Sequence, residues 1–130
     1  MGLCLAAFAR PFSLVRSALQ MELEAMRAGL LFIIHQVWDN VDIETDCAAV
    51  LTALKSYLED LSDVGCIVED CKVYLRAISS LNLQSIYRKV NGVAHRLAHI
   101  ASVNYLDGYW LKETPVIIRD VLYEDSCTST

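Results

Sequence analysis

The chain has 130 residues, 55 % of them apolar and 21 % charged, and a net charge of −5. Such a chain fits a single domain with a true apolar core, which excludes an intrinsically disordered segment and a multidomain assembly. The acidic balance excludes a grip on nucleic acid by bulk electrostatics, so any contact of that kind has to be local.

The opening run, Leu3 to Ala9, is short and apolar and stops at Arg10-Pro11; it reads as a buried strand. No basic residue precedes it and it is too short to cross a bilayer, which argues against a secretory signal and a membrane span. Residue 6 is Ala where an N-myristoylation signal needs Ser or Thr. Ser17, three residues before Gln20, opens a helix with capping-box spacing. Leu19, Leu23, Met26, Leu30, Ile33 and Val37 then recur at helical intervals, and the helix runs to about Gln36. A second stripe, Ala18, Glu22, Ala25 and Gly29, is small except for its carboxylate and suits a helix lying close to a sheet.

Val41 to Thr45 alternates, with Val41 and Ile43 on one side and Asp42 and Glu44 on the other, and reads as a strand. Asp46 closes that strand and is placed to cap the next helix, which carries Val50, Leu51, Leu54 and Leu58. Ser62-Asp63 starts a third helix through Ile67, Cys71, Tyr74, Leu75 and Ile78. Leu81 to Tyr87 reads as a strand, and Asn91-Gly92 turns into a last helix through Val93, Leu97 and Ile100. Residues 103–130 read as a tail behind a domain over 1–102, with one apolar stretch, Val116 to Leu122, of unassigned form. The order of elements argues for an α/β layer fold with a parallel sheet and right-handed crossovers.

Parallel strands bring their C-terminal ends to one edge of the sheet, where the following helices begin and where ligands bind in such folds. Glu22, Asp46 and His95 are expected to converge at that edge, with Ser85, Arg88 and Asn91 around them. Two carboxylates there suit magnesium, a hard cation that keeps several of its waters; ions so held activate water against a phosphodiester. The plainer alternatives are a Glu22 favoured by the helix dipole and an Asp46 that only caps.

Three segments carry a resemblance. Ala18-Leu-Gln-Met-Glu-Leu-Glu-Ala25 with Gly29-Leu30, Val41-Asp-Ile-Glu-Thr-Asp46, and Tyr87-Arg-Lys-Val-Asn-Gly-Val-Ala-His-Arg-Leu-Ala98 resemble, in order and spacing, ribonuclease H-like domains of the retroelement-derived plant type. The resemblance implies a three-layer fold with a reduced, mainly parallel sheet. It also implies metal-dependent hydrolysis of RNA in RNA–DNA hybrids. It assigns Glu22 and Asp46 as catalytic, magnesium-holding carboxylates, and Arg88, Asn91 and Ser85 to nucleic-acid contact. His95 stands where the family has its last carboxylate, as a substituted ligand, and Ser85 where the family often has a His that helps release product. The first two family strands are absent, and with them the Asp on the first strand that bridges the metals, so two of the four family carboxylates remain. The expectation is therefore an N-terminally truncated domain with impaired activity, or a non-catalytic remnant that acts as a nucleic-acid or protein interaction module. Leu3 to Ala9 is expected to slide inward and pair with Val41 to Thr45; otherwise an exposed edge invites self-association.

Other features read more simply. His95 and His99 share a helix face at a spacing that can hold zinc, yet no third ligand follows, and packed or surface histidines account for them. Arg10, Arg16, Arg88, Lys89 and Arg96 either touch phosphates or offset nearby acids. Glu24 and Arg27 read as a solvated pair on the outer helix face. Trp38 and Trp110 read as packing residues rather than base-stacking ones. Cys4, Cys47, Cys66, Cys71 and Cys127 are odd in number, lack C-x-x-C spacing, and read as reduced core or surface thiols of a protein in the cytoplasm or nucleus.

Overall fold

A computed structural model of the protein describes residues 6–9, 17–59, 61–87, 92–104 and 108–111. In chain order the elements are β1 (Ala6–Ala9), α1 (Ala18–His35), β2 (Val41–Thr45), α2 (Ala48–Lys55), α3 (Gly65–Ala77), β3 (Leu81–Ser85), α4 (Gly92–Asn104) and β4 (Gly108–Leu111). They fall into two compact units, Leu14–Ile86, and Met1–Ser13 with Tyr87–Thr130.

In the first unit α1 starts as its sequence dictates. Ser17 is extended, and its hydroxyl accepts a hydrogen bond from the Gln20 backbone N–H at 3.1 Å, satisfying a donor that the helix cannot. The helix ends in a Schellman turn. Val37 N–H donates to Ile34 O at 3.0 Å and Trp38 N–H to Ile33 O at 3.2 Å. The left-handed position of that turn, usually a glycine, is held by Val37 at φ 58°, where a β-branched side chain costs about 1–2 kcal/mol. Trp38 offsets part of this by packing edge-on against Phe32, ring centroids 5.9 Å apart. Val37 thus lies outside the core stripe that its spacing suggested, and is 86 % exposed.

β2 and β3 pair in parallel, Val41 opposite Leu81 and Thr45 opposite Ser85. Ser80 O accepts from Val41 N–H at one end and Thr45 O from Ile86 N–H at the other. Both strands alternate: Val41, Ile43, Leu81 and Leu83 turn toward the core, while Asp42, Glu44, Asn82 and Gln84 are exposed. One face of this parallel pair is therefore wet, unlike the doubly covered sheets in which parallel strands usually occur. Gln84 Nε2 donates to Glu44 Oε1 across that face at 3.2 Å.

Leu23, Met26 and Leu30 of α1, Val50 and Leu54 of α2, Ile67, Val68 and Cys71 of α3, and Ile78 form the core against the strands. A polar tie adds to it. Arg27 donates to Glu24 Oε2 at 2.6 Å and to Asp70 Oδ2 at 3.1 Å, linking α1 to α3. The Glu24–Arg27 pair expected on an outer face is thus partly buried between helices, because the Leu23–Met26–Leu30 stripe beside it is the face that packs on α3.

Two other local expectations are corrected. α2 ends at Lys55, so Leu58 lies in a loop. α3 begins at Gly65 rather than at Ser62-Asp63, which instead form a turn in which Ser62 O accepts from Gly65 N–H at 3.0 Å. The small stripe of α1 is the third correction. Ala18 and Ala25 are exposed, and a Cβ at Gly29 would meet nothing within 4 Å. Small size there is not the signature of a close helix–sheet approach.

In the second unit β1 pairs antiparallel with β4, Ala6 opposite Leu111 and Ala9 opposite Gly108, and α4 packs against β1. The inward pairing of β1 with β2 is thereby overturned. β1 finds its ladder partner in Gly108-Tyr-Trp-Leu111, where the sequence reading has no strand, and the crossover rule for strands of one sheet does not bear on β1 and β2. The apolar stretch Val116 to Leu122 lies outside the described residues.

Candidate functional site

The C-terminal edge of the β2–β3 pair is built by register. Thr45 and Ser85 stand opposite each other as the last strand residues, so Asp46 and Ile86 leave the sheet side by side. Thr45 is buried, and its hydroxyl accepts from the Cys47 backbone N–H at 3.1 Å, which turns the chain toward α2. Cys47, not Asp46, occupies the N-cap position of α2, and its side chain makes no capping bond. Asp46 is thus the first residue beyond the strand and is half-buried. Ser85 is exposed.

Glu22 lies in the second turn of α1 and is half-buried, next to Leu23, which is fully buried. The Leu23 carbonyl accepts a hydrogen bond from the Cys71 thiol at 3.9 Å, so the backbone beside Glu22 is tied to α3. Burial pushes the Cys71 thiol up to about 11, with Arg27 opposing and Asp70 and Glu24 adding to the rise. It is a core group held neutral and not a nucleophile. Desolvation works against the Arg27 charge, yet Glu24 and Asp70 together hold its pKa above the ordinary guanidinium value. Cys47, Cys66 and Cys71 are all free thiols.

Of the other expected site residues, Arg88 and Asn91 lie outside the described residues, as do Arg10, Arg16 and Lys89. His95 falls within α4, of which the backbone alone is described at that position. The sheet register therefore brings Asp46 and Ser85 to one edge. Among the described residues no three His, Cys, Asp or Glu side chains are grouped so as to hold a metal ion. No helix among them is long and apolar enough to cross a membrane. Sequence reasoning missed the Arg27–Asp70 tie, because a helix-face pattern shows which residues lie together and not which helix receives them.

A small parallel sheet with helices packed on it is consistent with an α/β domain of ribonuclease H-like type. Residues 1–101 match the model of the family described as reverse transcriptase-like, and the chain belongs to that family, whose domain is ribonuclease H-like and of the nucleic-acid-related nuclease type. No curated protein and no solved structure matches the chain.

Proposed function

We propose that the chain acts on nucleic acid as a ribonuclease H-type domain, with Glu22 and Asp46 holding a hydrated magnesium ion and the scissile phosphate of an RNA–DNA hybrid lying across the C-terminal edge of β2–β3. The observation that carries this reading is the family match over residues 1–101. Glu22 and Asp46 are both half-buried, in the second turn of α1 and just beyond the end of β2, and α1 and β2 both contribute residues to one core. Two half-buried carboxylates suit magnesium, which binds through oxygen and keeps most of its water. When bound, such an ion supplies charge neutralisation for a phosphodiester and a more acidic water. The chain's own part is to hold the two carboxylates and, through Arg88, Asn91 and Ser85, to orient the backbone of the nucleic acid.

The test is cleavage of an end-labelled RNA–DNA hybrid with magnesium. Product is expected from the unaltered chain, and Glu22→Gln and Asp46→Asn are each expected to reduce it by at least about a hundredfold, the scale on which lost catalytic groups are felt. Product formation unaffected by either substitution removes the assignment.

A second reading rests on His95 standing where the resemblance places a carboxylate. In it the domain is a non-catalytic interaction module. It then shifts a hybrid on a gel without metal, loses that on Arg88→Ala or at raised salt, or self-associates through a strand edge, which sedimentation reads. The enzyme requires magnesium and the module does not.

A further inference from the structure

Between α2 and α3, away from the strand edge, lies an open groove of about 690 Å³. Its lining includes Leu54, the last buried residue of α2, and Leu75 of α3. Its rim is the loop after α2, where Tyr57 is 105 % and Leu58 79 % exposed; Leu61, further along that loop, is 87 % exposed. One short loop thus presents three large apolar side chains to solvent, a local concentration above singly scattered surface hydrophobes. The loop is also fastened. The Lys72 ammonium donates to the Leu58 carbonyl at 3.1 Å and to Glu69 Oε1 at 3.2 Å, and Ser56 Oγ accepts from Leu58 N–H at 3.2 Å. The Leu58 backbone is thus held at both its N–H and its carbonyl, which lowers the ordering cost that a partner would otherwise meet.

The charges choose the partner. Lys72 answers Glu69 within the groove. Lys55 and Arg76, both exposed, flank it on α2 and α3, and among the described lining residues one further acid, Glu59, stands against them. A nucleic acid would want a continuous cationic strip and stacked aromatic rings. This groove offers one ring, an aliphatic floor and two acids of its own. We infer that the α2–α3 groove is a docking site for an acidic amphipathic peptide segment of a protein partner, whose apolar side chains cover Leu54, Leu75, Tyr57 and Leu58 and whose carboxylates meet Lys55 and Arg76. A helix laid in an apolar groove, with apolar anchors one turn apart, is the mode this shape fits.

The full chain is titrated with a fluorescein-labelled synthetic 15-residue peptide carrying leucines at helical spacing and glutamates on the flanking positions. Parallel titrations use the same peptide with lysine for each glutamate and a labelled fifteen-nucleotide oligothymidylate. Saturable binding of the acidic peptide is expected, and Tyr57→Ser and Arg76→Glu are each expected to weaken it about tenfold. Circular dichroism melts of both variants should match the unaltered chain, since both side chains are exposed. The inference is overturned by absence of binding, by equal binding of the lysine peptide, by acidic-peptide binding that neither substitution changes, or by oligothymidylate binding that both substitutions abolish while the acidic peptide stays unbound.

Discussion

Gly29 sits in the interior of α1 with open space where a side chain would go. Glycine there loses more backbone freedom on folding than alanine and gives nothing in return. Gly29→Ala is therefore expected to raise stability by about 0.5–1 kcal/mol in urea denaturation; a loss would mean that this face of α1 is closely covered after all. Cys71 belongs to the same scale. Its thiol, raised from 9.0 to about 11 by burial, stays protonated in the folded chain at pH values where the unfolded chain has ionised. Between about pH 9 and 11 the unfolded state binds fewer protons, so stability falls as pH rises through that window and is unaffected by this group below it. The loss is on the order of 2 kcal/mol at the upper end. Urea midpoints measured across that window are expected to fall less steeply for Cys71→Ala than for the unaltered chain.

The helices illustrate how a local pattern becomes a packed element. α1 was legible because its signals agree: a Ser17 cap, an apolar stripe at 3.6-residue spacing, and a turn after Gln36. β2 was legible from strict alternation. The small stripe misled because periodicity identifies residues that share a face and is silent on what covers it. β4 was illegible for another reason. Gly108-Tyr-Trp-Leu111 is short, starts with a strand-weakening glycine and lacks alternation, and its existence depends on β1 supplying the ladder. Arg27 is the element-scale tie between α1 and α3, and its two partners differ in exposure. Glu24 keeps 15 % of its side-chain exposure and Asp70 51 %. Solvent screens the second pair more than the first. Double-mutant cycles with Arg27→Ala are expected to give a coupling of about 1 kcal/mol to Glu24 and no more than about 0.5 kcal/mol to Asp70. Equal couplings would contradict this division of the tie.

At the scale of the molecule, fold class and family were readable from three short segments, because each combines residue type with a place in the order of elements. Of the candidate site, the shared edge of Asp46 and Ser85 follows from strand register, which alternation already encodes. The proposed approach of Glu22 to Asp46 depends on how a helix lies along a sheet, a tertiary property that a sequence period does not contain. The proposed metal dependence is consequently the molecule-scale prediction, read by the hybrid-cleavage assay and its two substitutions.

The antiparallel ladder of β1 and β4 joins chain segments about as far apart as the sequence allows, Ala6 opposite Leu111. A ribosome delivers residues 14–86, with every partner of the β2–β3 unit, well before it delivers the second strand of that ladder. Assembly is thus asymmetric in time: one unit can close as soon as it is made, whereas the other waits for a distant stretch and then for a long loop to shut. Pulsed hydrogen exchange during refolding should find the amides of Val41–Thr45 protected before those of Ala6–Ala9.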